Sequence, residues 1–202
     1  MKIIGITTEY IFNNEQKLIT ALLEEGLDVL HLRKPHHTEE ETEKLLLRIP
    51  DKWYGNIVIH DHFSLASKYS LKGIHLNTRH KIPPAGFSGS ISQSCHTLTE
   101  LNLFSKRDYL FLSPIYNSIS KQGYISAFSP SVLKQASAEG IIDHHIYALG
   151  GITPEHIPEL KSYGFGGAAF LGYLWNFKTV EGVKIQLKHI QEPVSYTHLR
   201  AH

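Results

Sequence analysis

The chain has 202 residues, with 20 Lys and Arg against 19 Asp and Glu, a formal net charge of +1 and 42% hydrophobic residues. That length fits one domain or one small barrel, and near-neutrality argues against charge-driven binding to nucleic acid or a membrane surface. A single cysteine, Cys95, excludes a disulfide framework and fits a reducing interior, and with no leader-like start and no membrane-spanning apolar run a cytoplasmic location is expected.

Residues 2–7 (KIIGIT) read as a nearly continuous apolar strand, as a parallel strand buried on both faces should. Residues 14–25 carry Leu18, Ile19, Leu22 and Leu23 at helical spacing and stop at Gly26. A second strand covers 27–33. Thr38 caps a helix that includes residues 45–47 and halts before Pro50. The third strand covers 56–60, a helix passes through Leu65 and Ala66, and the fourth strand covers 73–76. Residues 77–89 hold Pro83, Pro84 and two glycines and read as a loop. A fifth strand at 90–94, a helix at 97–104 and a sixth strand at 109–112 follow. A long polar loop, 113–128, then leads to a helix that starts at Ser129 or Ser131 and reaches Glu139.

The stretch from Tyr147 to Trp175 has two glycine turns. A short strand at 147–149 ends in Gly150-Gly151, where the backbone can turn without Cβ clashes. Thr153 and Pro154 then start a helix. Gly164, Gly166 and Gly167 end it and open a last strand at 168–171, after which Gly172 is expected at the mouth of the final helix. Two such strand ends form a phosphate cradle when they fall after strands seven and eight of a barrel.

Eight strands alternating with about seven helices, with no shift in composition, predict a parallel sheet with crossover helices. The expected fold is α/β, a single (β/α)8 TIM barrel over residues 1–190. Residues 192–202 (EPVSYTHLRAH) break the pattern, are similar to translated cloning-adaptor sequence and read as a non-native tail.

Barrel chemistry sits at strand ends. Those ends carry His31 and Arg33, His60 and Asp61, residues 75–77, residues 93–96, and Ser113. Their recurrence predicts one shared pocket. Arg33 can grip a phosphate or carboxylate in two places, with Lys34 and Lys121 adding charge. His96 suits acid–base work near neutral pH. Fourteen histidines, some adjacent, raise the idea of a metal site. With no HExxH helix or Cys/His pair, scattered surface and core histidines are the expected outcome.

The stretches HLRKP (31–35), IHDH (59–62), KGIHL (72–76), SQSCHTLTEL (92–101), DYLFLSPIYNSISKQG (108–123) and YALGGITPEHI (147–157) occur in an order that resembles the thiamine phosphate synthase/TenI family. The resemblance covers residues 1 to about 190 and implies a (β/α)8 barrel that binds a carboxythiazole phosphate. It places that phosphate on Gly150, Gly151, Leu171 and Gly172.

Two activities exist in the family. The synthase joins a hydroxymethylpyrimidine diphosphate to the thiazole with Mg²⁺, typically using QxRxK, ND, GQED and PTxTK after strands two, three, four and six. Here His31, Arg33 and Pro35 stand in the first motif, His60 and Asp61 in the second, and residues 77–80 (NTRH) in the third. His80 thus replaces one metal carboxylate, a poor exchange for a hard cation. The fourth motif keeps Ser118, Ser120 and Lys121. The TenI branch is the closer likeness, and there the histidine matching His96 serves a thiazole tautomerase that needs no metal. The resemblance therefore implies a tautomerase with catalytic His96, anion contacts from Arg33, and His31 and His60 in the pocket. The alternatives are a Mg²⁺-dependent synthase with Asp61 as metal ligand, and a ligand-binding or regulatory barrel without catalysis. The implied partner is the small thiazole phosphate, with a homodimer as an open option because family barrels often pair.

Overall fold

The computed structural model describes residues 1–117 and 126–193. Eight short segments, rich in β-branched and aliphatic residues, pair in sequence order and close on themselves: β1 (Lys2–Ile6), β2 (Val29–Leu32), β3 (Ile57–Ile59), β4 (Gly73–Leu76), β5 (Ser90–Cys95), β6 (Tyr109–Leu112), β7 (Ile146–Leu149) and β8 (Gly167–Phe170). All eight pairings are parallel, and Lys2↔Gly167 through Gly5↔Phe170 closes the ring. Closure matters because it converts each strand's alternation into an inside and an outside. The expected (β/α)8 barrel is the observed one.

Among the described residues seven helices surround it: α1 (Glu15–Glu24), α2 (Glu39–Leu46), α3 (Ser64–Lys68), α4 (Leu98–Leu103), α5 (Pro130–Ala138), α6 (Ile157–Ser162) and α7 (Val180–Gln191). Their starts follow the local chemistry. Thr38 with Glu41 and Thr97 with Glu100 form reciprocal capping boxes, and Ser129 caps α5 with Pro130 at its first position. No helix forms between β4 and β5, where the prolines and glycines predict a loop. Two local expectations differ. The turn after β7 first enters a 3-10 turn, Pro154–His156, before α6 begins. Gly172 is not at the mouth of the last helix, because residues 171–179 form turns and α7 starts only at Val180, capped by Thr179.

The core has two layers. Between barrel and helices pack aliphatic side chains such as Leu22, Leu30, Leu46, Leu112, Leu160 and Leu187. Inside the barrel lie Ile4, Ile6, Val29, Val58, Tyr109, Phe111 and Ala169, sharing the space with buried His31, His60 and His75. Among the described residues no helix is long and apolar enough to cross a membrane.

Lys34 corrects one expectation. Its ammonium does not reach the strand-end pocket. It is buried against Glu15 at 2.7 Å and donates to the carbonyls of Thr8 and Tyr10, tying the loop after β2 to the loop after β1. Burial pushes the Glu15 carboxyl up and the Lys34 ammonium down, each against the pull of its partner. Such a pair adds little net stability, but breaking it strands a buried charge at about 3–5 kcal/mol. Lys34→Met should therefore lower the unfolding free energy in urea by that amount. The double variant Lys34→Met/Glu15→Leu should recover most of it. A small loss in the single variant would mean that the pair is not buried as described.

Candidate active site

The C-terminal ends of the strands surround a cavity of about 800 Å³. Each strand delivers its next residues there because the chain must leave the barrel at that rim before crossing back along a helix. Arg33 follows β2, His60 follows β3, Asn77 follows β4, His96 follows β5, Ser113 follows β6, Gly150 and Gly151 follow β7, and Leu171 and Gly172 follow β8, and all of them line it. The strand-end pocket expected from sequence is thus one space. Ser118, Ser120 and Lys121 lie outside the described residues.

Cations outnumber carboxylates around the cavity: Arg33, Arg79 and Lys81 line it with Glu100. Arg33 Nη1 donates to Glu9 at 2.8 Å, which fixes the guanidinium beside the cavity. The Gly150-Gly151 turn has φ of +101° and +64°, and a Cβ at Gly151 would come within 2.2 Å of the Asn117 carbonyl oxygen. Only glycine lets this backbone turn sit so close to the loop after β6. Beyond it Thr153 bonds to His156, whose ring stacks on Tyr116 at 3.7 Å.

His96 is exposed at the start of the turn into α4. Its Nδ1 lies 3.0 Å from the Ser113 carbonyl oxygen. A carbonyl only accepts, so Nδ1 carries a proton, and in the neutral ring the lone pair is on Nε2. That is the tautomer of a general base. Cys95, one residue away, is fully buried, and burial pushes its thiol up to about 12. It packs in the apolar core between barrel and helices, and its thiolate is not present near neutral pH.

His31 departs from expectation. It belongs to the barrel interior, fully buried and absent from the cavity wall. In β2 it lies level with Ile6 of β1 and Val58 of β3. It bridges inward-facing groups: Nδ1 pairs with His60 Nε2 at 2.8 Å and Nε2 with the Tyr109 hydroxyl at 2.6 Å. His75, also on the floor, pairs with Ser92 Oγ and Ser94 Oγ, both at 2.8 Å. Burial holds all three imidazoles below the ordinary histidine range, with His75 pushed down to about 3. One ring nitrogen from each lies within 4.8 Å of the other two, near enough to share a cation. Yet five of the six nitrogens already have hydrogen-bond partners, so the cluster is satisfied as a neutral network. His60 and His62, two residues apart, do not share a strand face, because β3 ends at Ile59 and His62 turns away with φ of +53°.

A Mg²⁺ site, implied only by the synthase alternative, does not fit the donor set. Asp61 is buried, and its Oδ1 receives Arg79 Nη2 at 2.9 Å, with His80 Nε2 3.3 Å away. A cation would meet one carboxylate already paired with a guanidinium, where Mg²⁺ wants an octahedral oxygen shell. Titration with Mn²⁺, followed by electron paramagnetic resonance, should accordingly find only weak binding to the wild-type protein. The variant Arg79→Glu/His80→Asp should bind roughly tenfold tighter or better, since carboxylates replace the competing cations. Equal affinities would mean that these two residues do not control the site.

Sequence reading gave no role to Tyr109, Ser92 or Arg79. The signal for the first two was register: His75↔Ser92 and Ser92↔Tyr109 are neighbours across β4, β5 and β6. It becomes readable only once the strands are aligned.

Residues 3–173 match the family model for thiamine monophosphate synthase. A thiamine-phosphate synthase from Salmonella paratyphi A is 26% identical over 163 residues, covering 75% of this chain and 76% of that protein. The crystal structure of thiamine phosphate pyrophosphorylase from Bacteroides thetaiotaomicron superposes with a TM-score of 0.87 at 41% identity, covering 95% of this chain and 96% of that one. The Pyrococcus furiosus protein of the same description, at 18% identity and a TM-score of 0.74, shares the fold.

Proposed function

The chain belongs to the thiamine monophosphate synthase family, and from that premise we propose that it binds a carboxythiazole phosphate and shifts the tautomer of its ring. One observation carries the reading: His96 commits Nδ1–H to the Ser113 carbonyl, which makes Nε2 the basic nitrogen of the neutral ring, on a residue of the cavity wall. In the proposed reaction Nε2 takes a proton from the thiazole ring, and the imidazolium returns one at the position that completes aromaticity. Arg33, with Arg79 and Lys81 nearby, holds the carboxylate, and the backbone at residues 150–151 and 171–172 holds the phosphate. No metal enters this scheme.

The names of the relatives favour a second reading, the synthase, which joins the pyrimidine to the thiazole and releases pyrophosphate. Against it stands the Arg79–Asp61 pair where a cation would be held. Two assays separate the readings. Aromatisation of the carboxythiazole phosphate tautomer, followed by absorbance with EDTA present, should proceed at enzymatic rates. Supplying both synthase substrates with Mg²⁺ should give no robust formation of thiamine phosphate. Robust formation would overturn the preference for the isomerase, and binding with neither reaction would leave a ligand-binding barrel.

A further inference from the structure

Two hydrogen-bonded segments of buried polar groups, side by side across β5 and β6, lead from one point of the cavity to another. His60 lines the cavity, and its Nε2 is held by His31 Nδ1 at 2.8 Å. His60 Nδ1 has no hydrogen-bond partner among the described residues and is not among the sealed, unpartnered atoms, so it reaches the cavity. His31 Nε2 meets the Tyr109 hydroxyl at 2.6 Å. Ser92 of β5 is the cross-strand neighbour of Tyr109, and its hydroxyl pairs with His75 Nδ1 at 2.8 Å. His75 Nε2 pairs with Ser94 Oγ at 2.8 Å, and Ser94 lines the cavity again.

Every member of this chain can both give and take a proton. Nothing in it requires a charge, and burial keeps its imidazoles neutral at physiological pH. A network with one open hydroxyl end and one open imidazole end is more than core packing needs, since apolar side chains would fill the same space without desolvating polar groups.

We propose that His60, His31, Tyr109, Ser92, His75 and Ser94 form a proton relay with both ends on the active-site cavity, and that His60 is a second proton-transfer residue beside His96. The proposal rests on the isomerase reading for its use. The step balances as follows. The His96 imidazolium returns the substrate's proton through the relay: cavity water carries it to His60 Nδ1, while the His60 Nε2–H proton passes to His31 Nδ1. The His31 Nε2–H proton passes to Tyr109, the phenol proton to Ser92, and the Ser92 proton to His75 Nδ1. The His75 Nε2–H proton then passes to Ser94, whose own proton is delivered to the substrate. Each group gains one proton and loses one, every imidazole ends neutral in its other tautomer, and the substrate leaves as an isomer. Water entering the cavity between turnovers restores the starting tautomers by carrying a proton from His60 back to Ser94.

The test has two arms on the full chain. In ¹⁵N-histidine NMR, the Nδ1/Nε2 tautomer populations of His60 and His31 should change in Tyr109→Phe, which removes one hydroxyl, and that of His75 in Ser94→Ala. Unchanged populations in folded variants would overturn the relay whatever the reaction is. In the aromatisation assay, either variant should lower kcat about tenfold or more, with KM nearly unchanged and an altered solvent isotope effect. Wild-type kcat and isotope effect in both would overturn its catalytic use. Failure of the isomerase reading shows separately, as absence of turnover by the unmodified protein. The catalytic use of the relay then falls with it, and the NMR arm still decides whether the network is coupled.

Discussion

Replacing His96 with alanine should lower kcat for aromatisation of the thiazole tautomer by roughly 10²- to 10⁴-fold, the usual share of a positioned general base. KM should change little, because the anionic groups of the substrate are assigned to Arg33 and the loops at 150–151 and 171–172. The fold has no reason to suffer. The His96 ring is exposed, and its contact is with one carbonyl of the loop after β6. Circular dichroism and the urea midpoint should therefore match the parent. His96→Gln can still donate to the Ser113 carbonyl but offers no basic nitrogen, so it should be about as slow as alanine. A glutamine variant at wild-type speed would remove His96 from the chemistry.

Stability should fall steeply on acidification, starting well above the range in which carboxylates titrate. His31, His60 and His75 are held neutral by burial, so their folded pKa values lie below the ordinary value near 6.5. For groups depressed in this way, the stabilisation is present above the unfolded pKa and is lost as pH falls towards the folded one. Unfolding therefore takes up protons between about pH 6.5 and the folded values, that of His75 being about 3. Each imidazole contributes about 1.4 kcal/mol per pH unit in that window, and the three together about 4. Urea unfolding at pH 6.5, 6.0, 5.5 and 5.0 measures the slope before Glu155 and Glu159, whose carboxyls are pulled below the ordinary range, begin to contribute. His75→Gln should reduce the slope by about one third. A flat profile over this window would mean that the rings are hydrated or already charged in the folded protein.

The barrel was readable because its signals are local. Short apolar runs end at glycines or at capping residues, and Thr38, Thr97 and Ser129 start helices by bonding to backbone within three residues. The glycine turn at 150–151 was equally plain, and its positive φ values give the physical reason for both residues. Much of the candidate site was also visible, since Arg33, His60 and His96 stand where strands run out and all three line the cavity.

What sequence could not assign was direction. HLRKP places His31, Arg33 and Lys34 within four positions, and all three looked like rim residues. The closed barrel sends His31 into its interior, leaves Arg33 at the cavity and turns Lys34 back onto Glu15 of α1. Likewise Asp61 suggested a cation ligand until folding brought Arg79 against it.

By itself, then, the sequence determined the order of strands and helices, the glycine turn at the end of strand seven, and the family. Each depends on residues close in the chain, or on motifs kept in order. Only the tertiary structure decided which side chains face the cavity, the core or one another. Those contacts join residues 24 to 78 positions apart, such as Arg33 and Glu9 on one loop pair and His31 and Tyr109 across the barrel. Their geometry exists only after eight strands have closed in register, because closure fixes which half of each alternating strand points inward.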